Sequence, residues 1–212
     1  MNNIAFIWDL DGTLLDSYEI IVNSLYQVYS EKGIIVDKQE ILVDCITKSV
    51  NFFIKKMEEN LGIPFDDLKD RYSEISQKQK LNIKPMEHAI EILSFLKENK
   101  IPNYVFTHRG ITTESVLKNI GLFGFFDEIV TSLNKFQRKP NPEGIDYLIN
   151  KYKLDKDNTY YVGDRPIDID CANNAGIKSI MFIPQNSVAE RTGKETFVVR
   201  NLLEIKNLIN LK

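Results

Sequence analysis

The chain begins with a short apolar run, residues 4–8, in which every side chain is aliphatic or aromatic. A continuous run of this kind is typical of a parallel strand that is buried on both faces. The run ends abruptly at Asp9, and Asp11 follows two positions later. Side chains two positions apart on an extended backbone point the same way, so the pattern predicts a strand with two carboxylates at its end.

Further apolar runs alternate with segments of helical periodicity along the second part of the chain. Strands that alternate with helices indicate an α/β fold with a doubly wound parallel sheet. Strands are predicted over residues 103–107, 125–131, 159–162, 179–183 and 197–199. Helices are predicted over residues 88–99, 112–120 and 143–152, after Asp168 up to Gly176, and from about Leu202.

The segment between the first strand and this alternating part, residues 17–84, shows only helical patterns. Besides a helix after Ser17, helices are predicted over residues 38–46, 49–61 and 65–80. A helical block of this size that interrupts an α/β core indicates a small second domain. We therefore expect a Rossmann-like core made of residues 1–16 and 85–212, with residues 17–84 inserted as a helical domain.

Composition narrows the class of protein. The chain has 212 residues, with 43% hydrophobic residues, 27% charged residues and a formal net charge of −3. These values are ordinary for a globular protein and give no basic surface for nucleic acid. No apolar run approaches ~18 residues and the first residues lack a signal-peptide pattern, so we expect a cytoplasmic protein without a membrane span. The two cysteines, Cys45 and Cys171, are expected to be buried and reduced.

Candidate chemistry lies where predicted strands end. Asp9 and Asp11, Thr107 and Asp164 each follow a predicted strand, and Lys139 lies in a loop before a helix. In an open parallel sheet, ligands bind beyond the carboxyl ends of the strands, so these residues are expected to meet there. Converging carboxylates favour a cation, and Mg²⁺ is the usual one beside phosphate. Carboxylates, a hydroxyl and a lysine are together suited to phosphoryl transfer to an aspartate.

Four motifs carry a resemblance to a known family. The sequence Asp-x-Asp-Gly-Thr begins at Asp9, Thr107 ends a strand, Lys139 lies in Arg-Lys-Pro-Asn-Pro, and Asp164 and Asp168 lie in Gly-Asp-x-x-x-Asp. In this order the motifs resemble the four signatures of the haloacid dehalogenase (HAD) superfamily. The resemblance covers residues 4 to about 185. Within the superfamily, the sequence is similar to the phosphoglycolate phosphatases.

The resemblance implies a role for each matched residue. Asp9 would be the nucleophile that forms an aspartyl-phosphate, and Asp11 the general acid and base. Thr107 and Lys139 would bind the phosphate. It also implies an inserted helical cap domain that selects the substrate.

The resemblance further implies a magnesium site. Mg²⁺ would be held by Asp9, by the backbone carbonyl of Asp11 and by Asp164. Asp168 would support these ligands without binding the ion itself. The substrate would be a small phosphorylated metabolite, with neither nucleic acid nor a membrane as partner. The sequence does not predict the oligomeric state or the substrate.

The segment after Thr107 departs from the family pattern. The position that follows the hydroxyl residue is often Asn in the family, whereas this chain has His108 and then Arg109. A guanidinium suits carboxylate and phosphate groups, so Arg109 is a candidate contact for a second anionic group of the substrate. The other interpretation is that Arg109 is a loop arginine held by a local ion pair.

Two other functions fit part of the pattern. A sugar-phosphate mutase of the β-phosphoglucomutase type uses the same aspartate but returns the phosphoryl group to a sugar. A receiver-type signalling module also groups Asp, Thr and Lys around Mg²⁺, but it lacks a helical insertion and the Gly-Asp-x-x-x-Asp motif. Asp11 argues against a dehalogenase, because those enzymes lack an acid and base at this position. The sequence therefore favours a Mg²⁺-dependent phosphatase, with the mutase as the alternative.

Overall fold

A computed structural model describes residues 4–185 and 187–209 of the chain. The described chain divides into two compact units. The smaller unit is Ser17–Ile83, and the larger unit consists of the residues up to Asp16 and those from Lys84 onwards.

The smaller unit is entirely helical. Its core contains side chains from every helix, among them the fully buried Leu25, Ile41 and Phe53. Side-chain caps begin two of the helices: Asp37 accepts a hydrogen bond from the amide of Gln39, and Ser49 accepts one from the amide of Phe52. The helices are α1 Tyr18–Ser30, α2 Lys38–Thr47, α3 Val50–Leu61 and α4 Phe65–Gln79.

The larger unit contains a sheet of six parallel strands and a short antiparallel ribbon. The sheet has the strand order β5-β4-β1-β6-β7-β8, and the ribbon pairs β2 with β3. The strands are β1 Ala5–Trp8, β2 Leu15–Asp16, β3 Lys84–Pro85, β4 Asn103–Phe106, β5 Glu128–Val130, β6 Thr159–Gly163, β7 Lys178–Phe182 and β8 Phe197–Val199. The predicted doubly wound parallel sheet is confirmed.

The helices of the larger unit are α5 Ala89–Glu98, α6 Thr113–Asn119, α7 Glu143–Tyr152, α8 Pro166–Ala175 and α9 Ile205–Leu208. Helices α7 and α8 pack against the sheet face that carries Ala5 and Ile7. The rings of Phe6 and Trp8 point to the other face and stack at 5.6 Å between centroids. Both faces of β1 are thus covered, which explains why its sequence is apolar throughout.

Two details differ from the sequence prediction. The strand predicted over residues 125–131 is only Glu128–Val130, because Phe123–Phe125 forms a 3₁₀ turn before it. The side chain of Thr131 then caps a second 3₁₀ turn and ends the strand. The β2–β3 ribbon was not predicted, since two-residue strands carry no periodic pattern.

Strand order places a switch point at the centre of the sheet. The chain moves outward from β1 through β4 to β5, returns to β6, and then continues to β7 and β8. The ends of β1 and β6 are therefore neighbours at the point where the order reverses, which is where doubly wound sheets bind ligands. Among the described residues, no helix combines the length and the apolar character needed to cross a membrane.

Packing of α7 against β4 leaves no room for a side chain at Gly144. A Cβ atom there would lie 2.5 Å from Cε2 of Phe106. Alanine normally stabilises a helix by about 0.5–1 kcal/mol relative to glycine. In Gly144→Ala we expect the reverse, a loss of about 1–3 kcal/mol in the free energy of unfolding from overpacking. Urea unfolding should show a lower transition midpoint.

Gly124→Ala is the matched control, because a Cβ atom at Gly124 would meet nothing within 4 Å. Its free energy of unfolding should fall by no more than about 0.5 kcal/mol. An unchanged or raised midpoint for Gly144→Ala would contradict the packing described here.

Candidate active site

The turn after β1 places Asp9 and Asp11 in different surroundings. The amide of Asp9 donates to the carbonyl of Val162 at 2.9 Å, which continues the pairing with β6 by one residue. Gly12 then adopts a φ of 82°, in the region that favours glycine, and the carbonyl of Leu10 accepts hydrogen bonds from the amides of the turn. Asp9 is buried, whereas the side chain of Asp11 is 26% exposed.

The buried carboxylate of Asp9 is paired with Lys139. The ammonium lies 2.9 Å from Oδ1 of Asp9 and 2.7 Å from Oδ1 of Asp168, and all three side chains are buried. The rings of Phe106 and Tyr161 lie 5.5 and 5.1 Å from the same nitrogen. Lys139 is therefore fixed between two carboxylates and two aromatic rings, with no exposed side-chain surface.

Mutual pairing keeps these groups charged despite their burial. Burial alone would raise the pKa of Asp9, but the charges of Lys139 and Arg165 and the hydrogen bonds to the carboxylate outweigh it and lower the pKa. For Lys139, burial would lower the pKa, but Asp168 and Asp9 outweigh it and raise the pKa. Asp9 is thus an anionic carboxylate in a nearly dry position at the end of the central strand.

Neighbouring segments hold the loop that carries Lys139. The backbone amide of Lys139 donates to Nε2 of His108 at 2.8 Å. Burial, and then the charges of Lys139, Arg138 and Arg165, lower the pKa of His108 to about 2. The imidazole is therefore neutral, and its proton is on Nδ1 because Nε2 accepts.

Helix α8 holds the same loop from its other side. The thiol of Cys171 donates to the carbonyl of Asn141 at 3.3 Å, and the side-chain amide of Asn174 donates to the carbonyl of Pro140 at 2.9 Å. The segment after β4 and helix α8 together thus set the position of Lys139.

The end of β6 supplies two further carboxylates. Oδ1 of Asp164 accepts a hydrogen bond from the hydroxyl of Thr13 at 2.9 Å. Oδ2 of Asp168 accepts from the amide of Arg165 at 3.1 Å. A Cβ atom on Gly163 would lie 2.4 Å from Cβ of Asp168, so only glycine lets Asp168 approach the strand so closely.

Asp9, Asp164 and Asp168 form a buried acidic cluster. One carboxylate oxygen from each lies within 4.8 Å of the others. Lys139 lies against Asp9 and Asp168, and Nε of Arg165 lies 4.0 Å from Oδ2 of Asp168. Hard oxygen donors grouped in this way fit a divalent cation, and the residues present could hold one.

Thr107 lies at the carboxyl end of β4. Its amide donates to the carbonyl of Val130 at 3.0 Å, and its hydroxyl oxygen accepts from the amide of Arg109 at 3.2 Å. Thr107 is buried, so its hydroxyl is held at the same edge of the sheet as Asp9.

Arg109 contacts the other aspartate of the first motif. Its Nη2 lies 2.6 Å from Oδ1 of Asp11, and its Nε lies 3.2 Å from both carboxylate oxygens. The Asp11 carboxylate is paired with this guanidinium, and it is not a member of the acidic cluster found among the described residues. The two aspartates that the sequence treats as a pair thus have different partners.

The structure joins five of the seven sequence-selected residues by ion pairs between their side chains, in two groups. One is Asp9 with Lys139 and Asp168, and the other is Asp11 with Arg109. Asp164 joins the first group through the acidic cluster, and Thr107 contacts the backbone of Arg109.

Two residues of the site were not selected from the sequence. His108 acts on the backbone of Lys139, and Arg165 acts on the charges of Asp9 and Lys139. His108 stood out only as a departure from the family pattern, and Arg165 carried no distinguishing signal.

Comparison with known proteins finds relatives that match most of the chain. The family model described as haloacid dehalogenase-like hydrolase matches residues 6–182. The pyrophosphatase PpaX of Halalkalibacterium halodurans is 25% identical over 221 residues, which cover 100% of this chain and 98% of that protein. A phosphoglycolate phosphatase of Aquifex aeolicus is 25% identical over 185 residues, which cover 84% of each chain.

A solved structure shares the fold. The crystal structure of a HAD-superfamily hydrolase of subfamily IA from Geobacter sulfurreducens has a TM-score of 0.76 and 20% sequence identity. The match covers 98% of this chain and 97% of that one. Because the family model spans most of the chain, including all four motifs, this protein belongs to the haloacid dehalogenase-like hydrolases.

Proposed function

We propose that the protein is a Mg²⁺-dependent phosphatase that hydrolyses small phosphorylated metabolites through an aspartyl-phosphate on Asp9. The observation that carries the proposal is the ammonium of Lys139, buried against the carboxylate of Asp9 at 2.9 Å. This pairing keeps the carboxylate ionised and supplies a positive charge where a phosphate dianion would otherwise be repelled. The phosphatases among the relatives support the same reaction class.

In the first step, a carboxylate oxygen of Asp9 attacks phosphorus and the bond to the leaving oxygen breaks. Asp11 gives a proton to that oxygen. Thr107 and Lys139 contact the phosphate oxygens, through a hydroxyl and an ammonium respectively. In the second step, Asp11 takes a proton from water as the water attacks the aspartyl-phosphate, which releases inorganic phosphate and restores Asp9.

The acidic cluster is the proposed metal site. Asp9, Asp164 and the backbone carbonyl of Asp11 would hold Mg²⁺, and Asp168 would orient Lys139 rather than bind the ion, since both of its oxygens accept hydrogen bonds from the protein. When bound, the ion supplies charge neutralisation for the phosphate and for Asp9. The smaller unit, Ser17–Ile83, is proposed as the cap that selects the leaving group.

The direct test is a screen of phosphorylated metabolites for release of inorganic phosphate. A phosphatase releases one phosphate per substrate consumed, without a sugar acceptor. Transfer of the phosphoryl group to a sugar hydroxyl with no free phosphate would instead indicate the mutase and overturn the proposal.

The buried charge of Lys139 should have a measurable effect on turnover. In Lys139→Met we expect kcat/KM to fall by at least ~10²-fold, the scale for loss of one electrostatic stabiliser. The matched control is Lys135→Met, because Lys135 is an exposed lysine near the start of the same loop. A loss below about tenfold in a folded Lys139→Met protein would contradict the assigned contact with phosphate.

The roles of the two aspartates can be separated with p-nitrophenyl phosphate, whose leaving group needs little protonation. In Asp11→Asn the first step should survive while the second lacks its base. The variant should therefore release about one equivalent of nitrophenol and then stall. Mass spectrometry of the quenched protein should place the trapped phosphate on Asp9, and Asp9→Asn should show neither burst nor adduct. Steady turnover of Asp11→Asn, or an adduct elsewhere, would show the mechanism to be wrong.

The metal assignment predicts a shift in the Mg²⁺ requirement. Chelator should abolish turnover, Mg²⁺ should restore it, and Ca²⁺ should inhibit because it takes more oxygen ligands and can engage both oxygens of Asp9. In Asp164→Asn the half-saturating Mg²⁺ concentration should rise at least ~10-fold. The control is Asp170→Asn, since Asp170 pairs with the exposed Lys194 instead. Equal Mg²⁺ curves for the two variants would exclude Asp164 as a ligand.

A further inference from the structure

The carboxylate of Asp11 is engaged by a guanidinium before any substrate binds. Both of its oxygens accept from Arg109, at 2.6 Å from Nη2 and 3.2 Å from Nε. The remaining nitrogen, Nη1, donates to the hydroxyl of Thr112 at 3.1 Å. The side chains of Arg109 and Asp11 are 12% and 26% exposed, so the pair is partly shielded from water. Such a fork-shaped contact is among the stronger ion pairs of proteins.

This contact competes with the proposed work of Asp11. A general acid must lie within about 2.6–3.2 Å of the oxygen to which it gives its proton. An oxygen that accepts from Arg109 must give up part of that contact to reach the leaving oxygen. Separating a partly buried guanidinium from its carboxylate is costly, and an anion that takes the place of the carboxylate offsets that cost.

The geometry points to Arg109 as a specificity-determining residue that exchanges Asp11 for a second anionic group on the leaving portion of the substrate. This inference rests on the proposed phosphatase function. When a carboxylate or a second phosphate binds the guanidinium, Asp11 is released to the leaving oxygen. Substrates without that group leave Asp11 engaged by Arg109 and are turned over slowly.

Distances define the chemical class of substrate. The leaving oxygen must lie within one hydrogen bond of the released Asp11, whose short side chain starts 2.6 Å from Nη2 of Arg109 and can move only by rotation about its own bonds. The leaving oxygen therefore lies roughly 6 Å from the guanidinium. An anionic group two or three bonds beyond that oxygen spans the gap. Phosphate esters of α-hydroxy carboxylates and diphosphates have this arrangement, whereas phosphate esters of simple alcohols do not.

The matched probes are 2-phosphoglycolate and its carboxamide, which differ in one charge and hardly in shape. Pyrophosphate is the third probe and distinguishes a phosphate from a carboxylate as the second anion. For the wild-type protein we expect kcat/KM on the better of the two anionic probes to exceed that on the amide by at least ~10²-fold. In Arg109→Gln this ratio should collapse to about threefold or less, mainly because the anionic substrate loses rate.

Arg109→Lys and Arg200→Gln complete the experiment. Lysine keeps the charge but not the fork, so Arg109→Lys should restore part of the preference for the anionic probe and report on Arg109 even if Arg109→Gln folds poorly. Arg200 is exposed and lies far along the chain, and Arg200→Gln should keep the wild-type ratio. Thermal unfolding of each variant serves as the folding control.

Two outcomes would overturn the inference. The wild-type protein could hydrolyse the amide as fast as both anionic probes. Arg109→Gln could keep the wild-type preference for the charged substrate, and if it does so while losing equal factors on both substrates, Arg109 is only a positioning residue for Asp11. Absence of phosphate release from every probe, including p-nitrophenyl phosphate, would instead count against the proposed function itself.

Discussion

The buried ammonium of Lys139 between two carboxylates is the interaction on which the rest of the site depends. Removing a charge from water costs several kcal/mol. Removing one partner of a buried ion pair destabilises the fold by about 3–5 kcal/mol. The site meets this cost by pairing Lys139 with Asp9 and Asp168 at 2.9 and 2.7 Å. Lys139 holds Asp9 in its charged form, and the two aspartates hold Lys139 in its charged form. An ionised carboxylate can therefore be kept at this buried strand end only as part of this group.

Much of the surrounding fold serves to hold that group in place. Strand β4 supplies Phe106 beneath the ammonium, and the segment after β4 supplies His108 against the backbone of the loop that carries Lys139. Helix α8 contributes Asp168 and two hydrogen bonds to the loop carbonyls. The lack of a side chain on Gly163 lets that helix approach the end of β6. Strands and a helix thus hold the loop that carries the central charge, as preorganised electrostatic catalysis requires.

The sequence predicted the central strands of the sheet well because their residues are buried. Strands β1, β4 and β6 are buried throughout and consist mostly of aliphatic and aromatic residues, and polar residues follow each of them. Because strand ends share one edge of a parallel sheet, the neighbourhood of Asp9, Thr107 and Asp164 was also predictable. The extent of β5 was not, since the aromatic residues before it pack in a 3₁₀ turn instead of a strand.

The pairing of charges within the site could not be predicted from the sequence. The i, i+2 spacing of Asp9 and Asp11 predicts carboxylates that point the same way, but the turn at Gly12 gives them different surroundings. Arg109 reaches Asp11 across 98 positions of chain, and Lys139 reaches Asp168 across 29. Such contacts depend on distances of a few ångströms between elements, which periodicity and motifs do not encode.

The short β2–β3 ribbon has a consequence for how this architecture can vary. It pairs Leu15 with Pro85 and Asp16 with Lys84, so the chain leaves the larger unit and returns to it at adjacent positions. A segment whose two ends are held side by side behaves as an insertion in a closed loop, and the entropy of closing such a loop grows only slowly with its length. The ribbon thus makes the helical segment a replaceable module: it could lengthen, shorten or be exchanged for another fold while the sheet and its buried charges keep their connectivity.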